Sequence, residues 1–322
     1  MGENTDLSFE TVDDDSELII YPEEADIGKR LDILIPERLP EHTRSEIQNW
    51  IRDKRVYVIP GNSEPVLKRA SYKVKEGDTI TVDVPKPVEL NIKPENIPID
   101  ILYEDDDVLI VNKPKGMVVH PAAGHESGTL VNAVMYHCNE SLSGINGVLR
   151  PGIVHRIDMD TTGSLIICKN DKSHRSIAKQ IEKHSANRIY VGIVVGNIKE
   201  DSGTVKGTIG RSEKDRKKMA VNPKHGKDAV THYKVLKRFG DYTYCEFKLE
   251  TGRTHQIRVH MASIGHPLLG DEVYGKKSKK HPNLQGQTLH ARTIGFKHPT
   301  TGKYMEFSAP LPDYFKRLLE TL

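Results

Sequence analysis

The stretch PGIVHRIDMDTTGSLIICKN, residues 151–170, places two carboxylates, Asp158 and Asp160, in a turn rich in Thr and Gly. The apolar run Ser164 to Cys168 follows at once and reads as a buried strand. Flanked by His155 and Arg156, such a carboxylate at a strand edge suits a nucleophile or general base. The same residues also suit a turn whose Asp hydrogen-bonds its own backbone. Downstream, LETGRTHQIRVHMASIGHPLLGDEVYG, residues 249–275, repeats the pattern of polar residues at an element boundary. A strand ends near Thr251 and Gly252, Thr254 is placed to cap, and Ile257, Met261 and Ile264 predict the buried stripe of a helix stopped by Gly265. Arg258 falls in its early turns, where it either reaches a carboxylate and keeps it ionised or lies on the surface. His255 and His260, five apart, do not share a helix face as a metal pair would, and read as surface or RNA-facing.

Around these segments β-like runs dominate from Ile99 onward: ILYEDDDVLIVNK, SLIICKN, RIYVGIVVG, TVKGTIG, VTHYKVLKRF and YTYCEFKLET, with helical segments among them. Strand patterns interleaved irregularly with helices predict an α+β domain around a mixed, mainly antiparallel sheet, over residues 99–322. Pro85, Pro87, Pro94 and Pro98 mark residues 85–98 as a semi-rigid linker. Ahead of it, residues 16–84 read as two helices and a small hairpin. GKRLDILIPERL has near-helical spacing before Pro40, and RSEIQNWIRDKR carries Ile47, Trp50 and Ile51 on one stripe, with Trp50 in the core. VYVI and TITVDV supply the strands. Residues 1–15 read as an acidic, disordered tail.

Composition sets the bounds. The 322 residues are 36% hydrophobic and 29% charged, ordinary for a folded chain of about two domains. The apolar runs fall far short of the ~20 residues that span a bilayer. Three scattered cysteines, without Cys/His ligand spacing, fit a reducing cytoplasm and no structural metal. Lys and Arg exceed Asp and Glu by only two, 47 against 45. Ten of the acids precede Lys29, which leaves the rest of the chain at 47 minus 35, or +12. A basic body suits a polyanionic partner. There is no GxxxxGK[ST], GxGxxG, GxSxG or HExxH, which argues against nucleotide hydrolysis, dinucleotide redox chemistry and the common hydrolases.

HRIDMDTTG at 155–163 resembles the HRLDxxTSG signature of the RluA/RluD-type pseudouridine synthases. NKPKGMVVHP at 112–121, RIYVGIVVG at 188–196 and TGRTHQIRVHMASIGHPLLGDEVYG at 251–275 match the same family in the same order. GKRLDILIPERLPEHTRSEIQNWIRDKRVYV resembles the RNA-binding domain named after ribosomal protein S-four, with Lys54 where a Gly is usual. The resemblance implies an isomerase that needs no cofactor and converts uridine in RNA, large-subunit ribosomal RNA being favoured, to pseudouridine. It carries the catalytic carboxylate to Asp158, the tyrosine that stacks on uracil to Tyr190, and the basic partner to Arg258. RNA contacts then fall to His155, Arg156, Arg253 and His255 around the motifs, to Arg44 and Arg52 in front, and to Lys217 and Lys218 in residues 211–227, read as an exposed loop. A cytoplasmic monomer is expected. The alternatives are a synthase acting on transfer RNA and a non-catalytic RNA-binding or ribosome-assembly protein; a carboxylate-dependent RNA hydrolase is disfavoured, because no metal cluster or acid/base pair accompanies the motif.

Overall fold

The structure, a computed structural model, describes residues 17–39, 42, 44–61, 63–84, 92–121, 124–138, 142–143, 151–213, 215, 218–278 and 280–322. The acidic tail 1–15, residues 85–91 of the Pro-rich segment and Lys217 lie outside the described residues. The chain forms two compact units that divide after Glu89.

The first unit contains β1 (Glu17–Ile20), α1 (Leu31–Arg38), α2 (Arg44–Arg52), β2 (Val56–Pro60), β3 (Val66–Leu67) and β4 (Asp78–Asp83). Its antiparallel sheet runs β1-β4-β2-β3. Ile47, Trp50 and Ile51 of α2 are buried against Leu31, Leu34, Val56 and Ile80, so Trp50 is a core residue. Asp32 is fully buried and receives Arg30 at 2.8 Å, Arg44 at 2.9 Å and Gln48 at 2.7 Å. Arg30 foremost, with Arg44 and Gln48, holds its carboxyl well below the usual range against the effect of burial. Lys54 takes φ 63°, the left-handed conformation that Gly adopts freely, at a strain of roughly 1–2 kcal/mol.

The second unit contains β5 (Ile101–Glu104), β6 (Val108–Lys113), α3 (Leu130–Cys138), β7 (Thr162–Cys168), α4 (Asp171–Glu182), β8 (Asn187–Val195), β9 (Ser202–Arg211), β10 (Met219–Val221), β11 (Lys227–Arg238), β12 (Tyr242–Leu249), α5 (Gln256–Ser263), β13 (Leu289–Lys297), β14 (Tyr304–Ser308) and α6 (Asp313–Thr321). Among the described residues they build a ten-stranded sheet in the order β10-β9-β11-β12-β8-β13-β7-β6-β5, with β14 on β13. Every pairing is antiparallel except β13 with β7. The α+β, mainly antiparallel architecture is as the sequence predicts.

Both faces of the sheet are covered, which is why VLIV at 108–111 and LIIC at 165–168 are apolar without alternation. Leu109, Val111, Leu165 and Ile167 face α3 and α5, while Val108, Ile110, Ile166 and Cys168 face Ile177 of α4. Near α6, Phe315 and Leu318 pack on Val191 and Ile193.

Two segments differ from expectation. Residues 92–98 are packed onto the second unit rather than held as a spacer. Ile92 is buried in its core, Lys93 O accepts from Asn132 Nδ2 at 2.9 Å, and Glu95 N donates to Asn132 O at 3.0 Å. Within 211–227, residues 219–221 form β10 on β9 instead of loop, because Met219 and Val221 pack against Ile209, Ala229 and Val259.

One lateral row crosses the sheet through Lys113, Gly163, Ala291, Tyr190, Phe247, Tyr233 and Gly203. At its parallel step Gly163 has φ +109°, and a Cβ there would overlap the carbonyl of Ala291. Gly163→Ala should therefore cost about 3 kcal/mol or more, from backbone strain together with forced separation of β7 and β13. Urea denaturation of the full chain measures this, and an unchanged midpoint would mean that the two strands part cheaply.

Candidate active site

The row ends beside the turn that carries Asp158. Lys113 is fully buried, and its Nζ donates to three backbone carbonyls, Pro114 at 2.8 Å, Met117 at 2.8 Å and Met159 at 2.9 Å. Burial pushes its pKa down to about 7, opposed by the charges of Asp160 and Asp158. Three acceptors match the three hydrogens of an ammonium, so the geometry favours the charged form. Gly116 N donates to Met159 O at 3.0 Å and Thr161 N to Asp158 O at 3.0 Å, which fixes the turn from both sides. Thr161 Oγ1 receives Gln287 Nε2 at 3.0 Å.

From across the cleft, α5 presents Arg258. Its Nε and Nη2 grip both oxygens of Asp271 at 2.7 and 3.0 Å, and its Nη1 donates to Asp158 Oδ2 at 2.9 Å. The side chains of Arg258 and Asp271 are 7% and 0% exposed, against 18% for Asp158, so the acid at the cleft is the wetter of the two. Burial works against the arginine charge, but Asp271 and Asp158 outweigh it and hold its pKa above the usual value. Asp271 Oδ1 also accepts from Val273 N at 3.0 Å and Tyr274 N at 3.2 Å, so its direction is set before Arg258 arrives. With Oδ2 occupied, Oδ1 is the oxygen that Asp158 offers to the cleft.

His255 begins α5 in the left-handed conformation, φ 55°. Its Nδ1 lies 2.9 Å from the Tyr274 hydroxyl, which already accepts from Met219 N at 2.8 Å. The hydroxyl hydrogen then goes to Nδ1, and the imidazole proton sits on Nε2, 3.8 Å from Asp158 Oδ1. Burial lowers the pKa of His255, though the Asp158 charge opposes this. The guanidinium of Arg258 lies over the Tyr274 ring at 5.3 Å.

Tyr190 is 8% exposed, lines the cleft, and its hydroxyl has no hydrogen-bond partner among the described residues. Burial pushes the phenol up, and the Asp158 charge pushes the same way against Arg188, so the hydroxyl is protonated at neutral pH. Arg156, Asp158, Tyr190, Leu249, Arg253 and His255 are shared between a narrow pocket of about 50 Å³ and a larger one of about 410 Å³. The larger lies within the roughly 300–1,000 Å³ of small-molecule sites.

The sequence-named residues divide by position. Asp158, Tyr190, Arg258, Arg156, Arg253 and His255 meet in this cleft. His155 Nε2 accepts from Ile166 N at 3.0 Å, and burial, with the Arg188 charge, pushes the imidazole down to about 3. It braces the turn against β7 as a neutral ring and offers a phosphate no charge. His260 is not surface or RNA-facing: it is fully buried and its Nδ1 lies 2.9 Å from Thr231 Oγ1. Thr254 does not cap α5; Gln256 turns back to accept from Arg253 N at 2.9 Å and Thr251 Oγ1 at 2.7 Å. Ile264, one residue past the helix, is 40% exposed rather than on the buried stripe. Arg44 belongs to the first unit and partners Asp32, Arg52 there is 72% exposed, and Lys218 precedes β10. Sequence reading passed over Lys113, Asp271, Tyr274 and Arg188. Arg188 was within reach, since residues two apart on a strand share a face and Tyr190 had been singled out.

Removing one partner from a buried ion cluster leaves an uncompensated charge. Arg258→Met should thus cost about 3–5 kcal/mol in a urea titration of the full chain, and a loss under about 1 kcal/mol would show that the cluster is not an energetic unit.

A profile of the RNA pseudouridylate synthase family matches residues 107–263, the span that holds Asp158, Tyr190 and Arg258. An uncharacterized RNA pseudouridine synthase of Bacillus subtilis, YlyB, is 49% identical over 95% of this chain and 98% of its own length. The ribosomal large subunit pseudouridine synthase D of Zymomonas mobilis is 46% identical over 92% of this chain and 94% of its own. Among solved structures, human RNA pseudouridylate synthase domain containing 1 shares the fold, with a TM-score of 0.56 at 24% identity over 68% of this chain and 85% of its own. Identity near one half, sustained over almost the full length of both chains, means that this chain belongs to the RNA pseudouridylate synthase family, isomerases that act on RNA.

Proposed function

We propose that the chain converts specific uridines of large-subunit ribosomal RNA to pseudouridine, with Asp158 as the reacting group. The observation that carries the chemistry is the seating of Asp158: one oxygen is held by Arg258 at 2.9 Å and the other is open to a cleft walled by Tyr190. Asp158 acts as nucleophile or base through Oδ1. Arg258, itself aimed by Asp271, pairs with that carboxylate and fixes its direction. The Tyr190 ring stacks on the uracil, and its neutral hydroxyl passes on the proton released when the base rejoins through carbon. A base inside a helix reaches neither group, so the target must leave its stack; Arg156, exposed beside Asp158, is placed to fill the gap.

The ribosomal substrate is supported by relatives that bear that name at 40–46% identity over more than 90% of this chain. Exposed Arg52 and the half-exposed guanidinium of Arg44 supply cations for RNA on the first unit, which we assign as the RNA-binding domain ahead of the catalytic one. The working form we propose is a monomer. The three cysteines are buried free thiols, in keeping with a cytoplasmic setting, and no helix among the described residues is long and apolar enough to cross a membrane.

Pseudouridine mapping of total RNA from a strain lacking the gene, complemented with wild type or Asp158→Asn, tests this reading. Wild type should restore sites in large-subunit ribosomal RNA and Asp158→Asn none, a loss of about 10⁴-fold in rate. Restoration by Asp158→Asn would remove the catalytic assignment; sites confined to transfer RNA would remove the ribosomal one alone. With purified protein, Tyr190→Phe should keep RNA affinity and lose about 100-fold in kcat, whereas unchanged kcat would confine Tyr190 to packing.

A further inference from the structure

Arg188 is a buried cation with nothing to neutralise it. Only 6% of the residue is exposed, and it forms no ion pair among the described residues. Of its five N–H donors one reaches an acceptor, Nη2 to Glu250 O at a long 3.4 Å, and its buried Nε has none. Burial lowers its pKa and the charge of Arg253 adds to the effect, while Tyr190 opposes them, and the net effect is against the cation. Buried charges are normally paired, and an unpaired guanidinium beside a cleft points to an anion as its ligand.

The surroundings give that anion a position. Arg188 stands two residues before Tyr190 on β8, on the same face, and lines the larger pocket together with Asp158, Arg156 and Arg253. Arg253 donates Nε to Asp228 O at 2.9 Å and makes no ion pair among the described residues, so a second guanidinium is available. Glu182, exposed on the same pocket, forms no ion pair with either. Gly252 completes the seat: a Cβ at that position would overlap Arg188 Nη1, so the absence of a side chain keeps the guanidinium in place.

We propose that Arg188, with Arg253, binds a backbone phosphodiester of the RNA strand next to the uridine presented to Asp158. The inference rests on the reading of that cleft as the uridine site, and it adds the group that holds the extruded nucleotide by its backbone. A phosphate supplies paired acceptors that fit the planar donors of a guanidinium.

The test uses the full chain and a short single-stranded oligouridylate, with affinity measured across a series of salt concentrations and folding checked by thermal melting. Arg188→Gln should bind about tenfold more weakly, with the slope of log affinity against log salt shallower by about 0.7, the value of one phosphate contact on a single strand. Arg188→Lys, which keeps a charge, should retain the wild-type slope. Gly252→Ala leaves the arginine present but displaced, and should lose affinity in the same direction; it serves as the second variant should Arg188→Gln fail to fold. Unchanged affinity in both variants, or a loss in which the slope stays at its wild-type value, would reduce Arg188 to packing and overturn the proposal. Displacement of inorganic phosphate, with oligouridylate affinity unaltered, would overturn it by assigning the seat to a free anion. No turnover enters these measurements, so their failure leaves the catalytic reading of Asp158 standing, and active Asp158→Asn would sink that reading without altering the binding result.

Discussion

The site depends on one arginine shared between two carboxylates. Arg258 meets Asp271 through both oxygens and Asp158 through one, and the cluster carries a net charge of one minus. At an effective dielectric of about 20, each contact at this range is worth several kcal/mol, enough to offset part of the cost of removing the ions from water. The two acids are not equivalent. Asp271 is inaccessible and tied to Val273 N and Tyr274 N, so it serves to aim the guanidinium. Asp158 keeps one oxygen open to the cleft, and the surplus negative charge of the cluster is exposed there.

An acid so held needs a rigid base beneath it, and the parallel step in the sheet provides one. Lys113, Gly163, Ala291 and Tyr190 stand side by side on β6, β7, β13 and β8. The lysine pins Met159, the neighbour of Asp158, while Tyr190 forms the opposing wall. The distance between the acid and the ring is therefore set by strand spacing together with the turn that Lys113 holds. Gly163 makes that spacing possible, since β7 and β13 approach too closely there for any side chain.

Much of this was legible in the sequence. The apolar run at 164–168 pointed to a buried strand, and the 155–163 and 251–275 segments were recognisable because polar residues interrupted elements about to begin. What could not be read were pairings that depend on chain reversal. Asp271 is thirteen residues from Arg258 and shows its purpose only after 264–270 loops back. Lys113 ends an apolar strand and looks like a surface residue until the 114–117 turn and Met159 enclose it. His260 misled because its helix lies against β11, where its Nδ1 lies 2.9 Å from Thr231 Oγ1, and a single sequence does not say which face of a short helix meets the sheet. The 219–221 strand was obscured by flanking Lys and Arg, whose local pattern is that of a loop; the apolar neighbours that fix it lie on β9, β11 and α5.

The arrangement of charge around the cleft also follows from the reaction. A strand bearing a negative charge at every phosphate must be brought against an ionised carboxylate, an approach that Coulomb repulsion opposes. Neutralising Asp158 would remove the repulsion and, on the proposed reading, the reactivity with it. The chain instead encloses the acid with guanidinium groups of unlike accessibility. Arg258, buried, cancels charge at the acid itself, while Arg156 and Arg253 are open to solvent where the strand would enter. Arginine fits these positions better than lysine, because burial does not strip its proton and its planar donors hold a direction. Lys113 stays back from the acid, held by carbonyls alone, where a flexible ammonium can satisfy three acceptors at once. On the proposed reading, attraction for the strand and reactivity at Asp158 are thus supplied by different cations, and neither has to be weakened for the other.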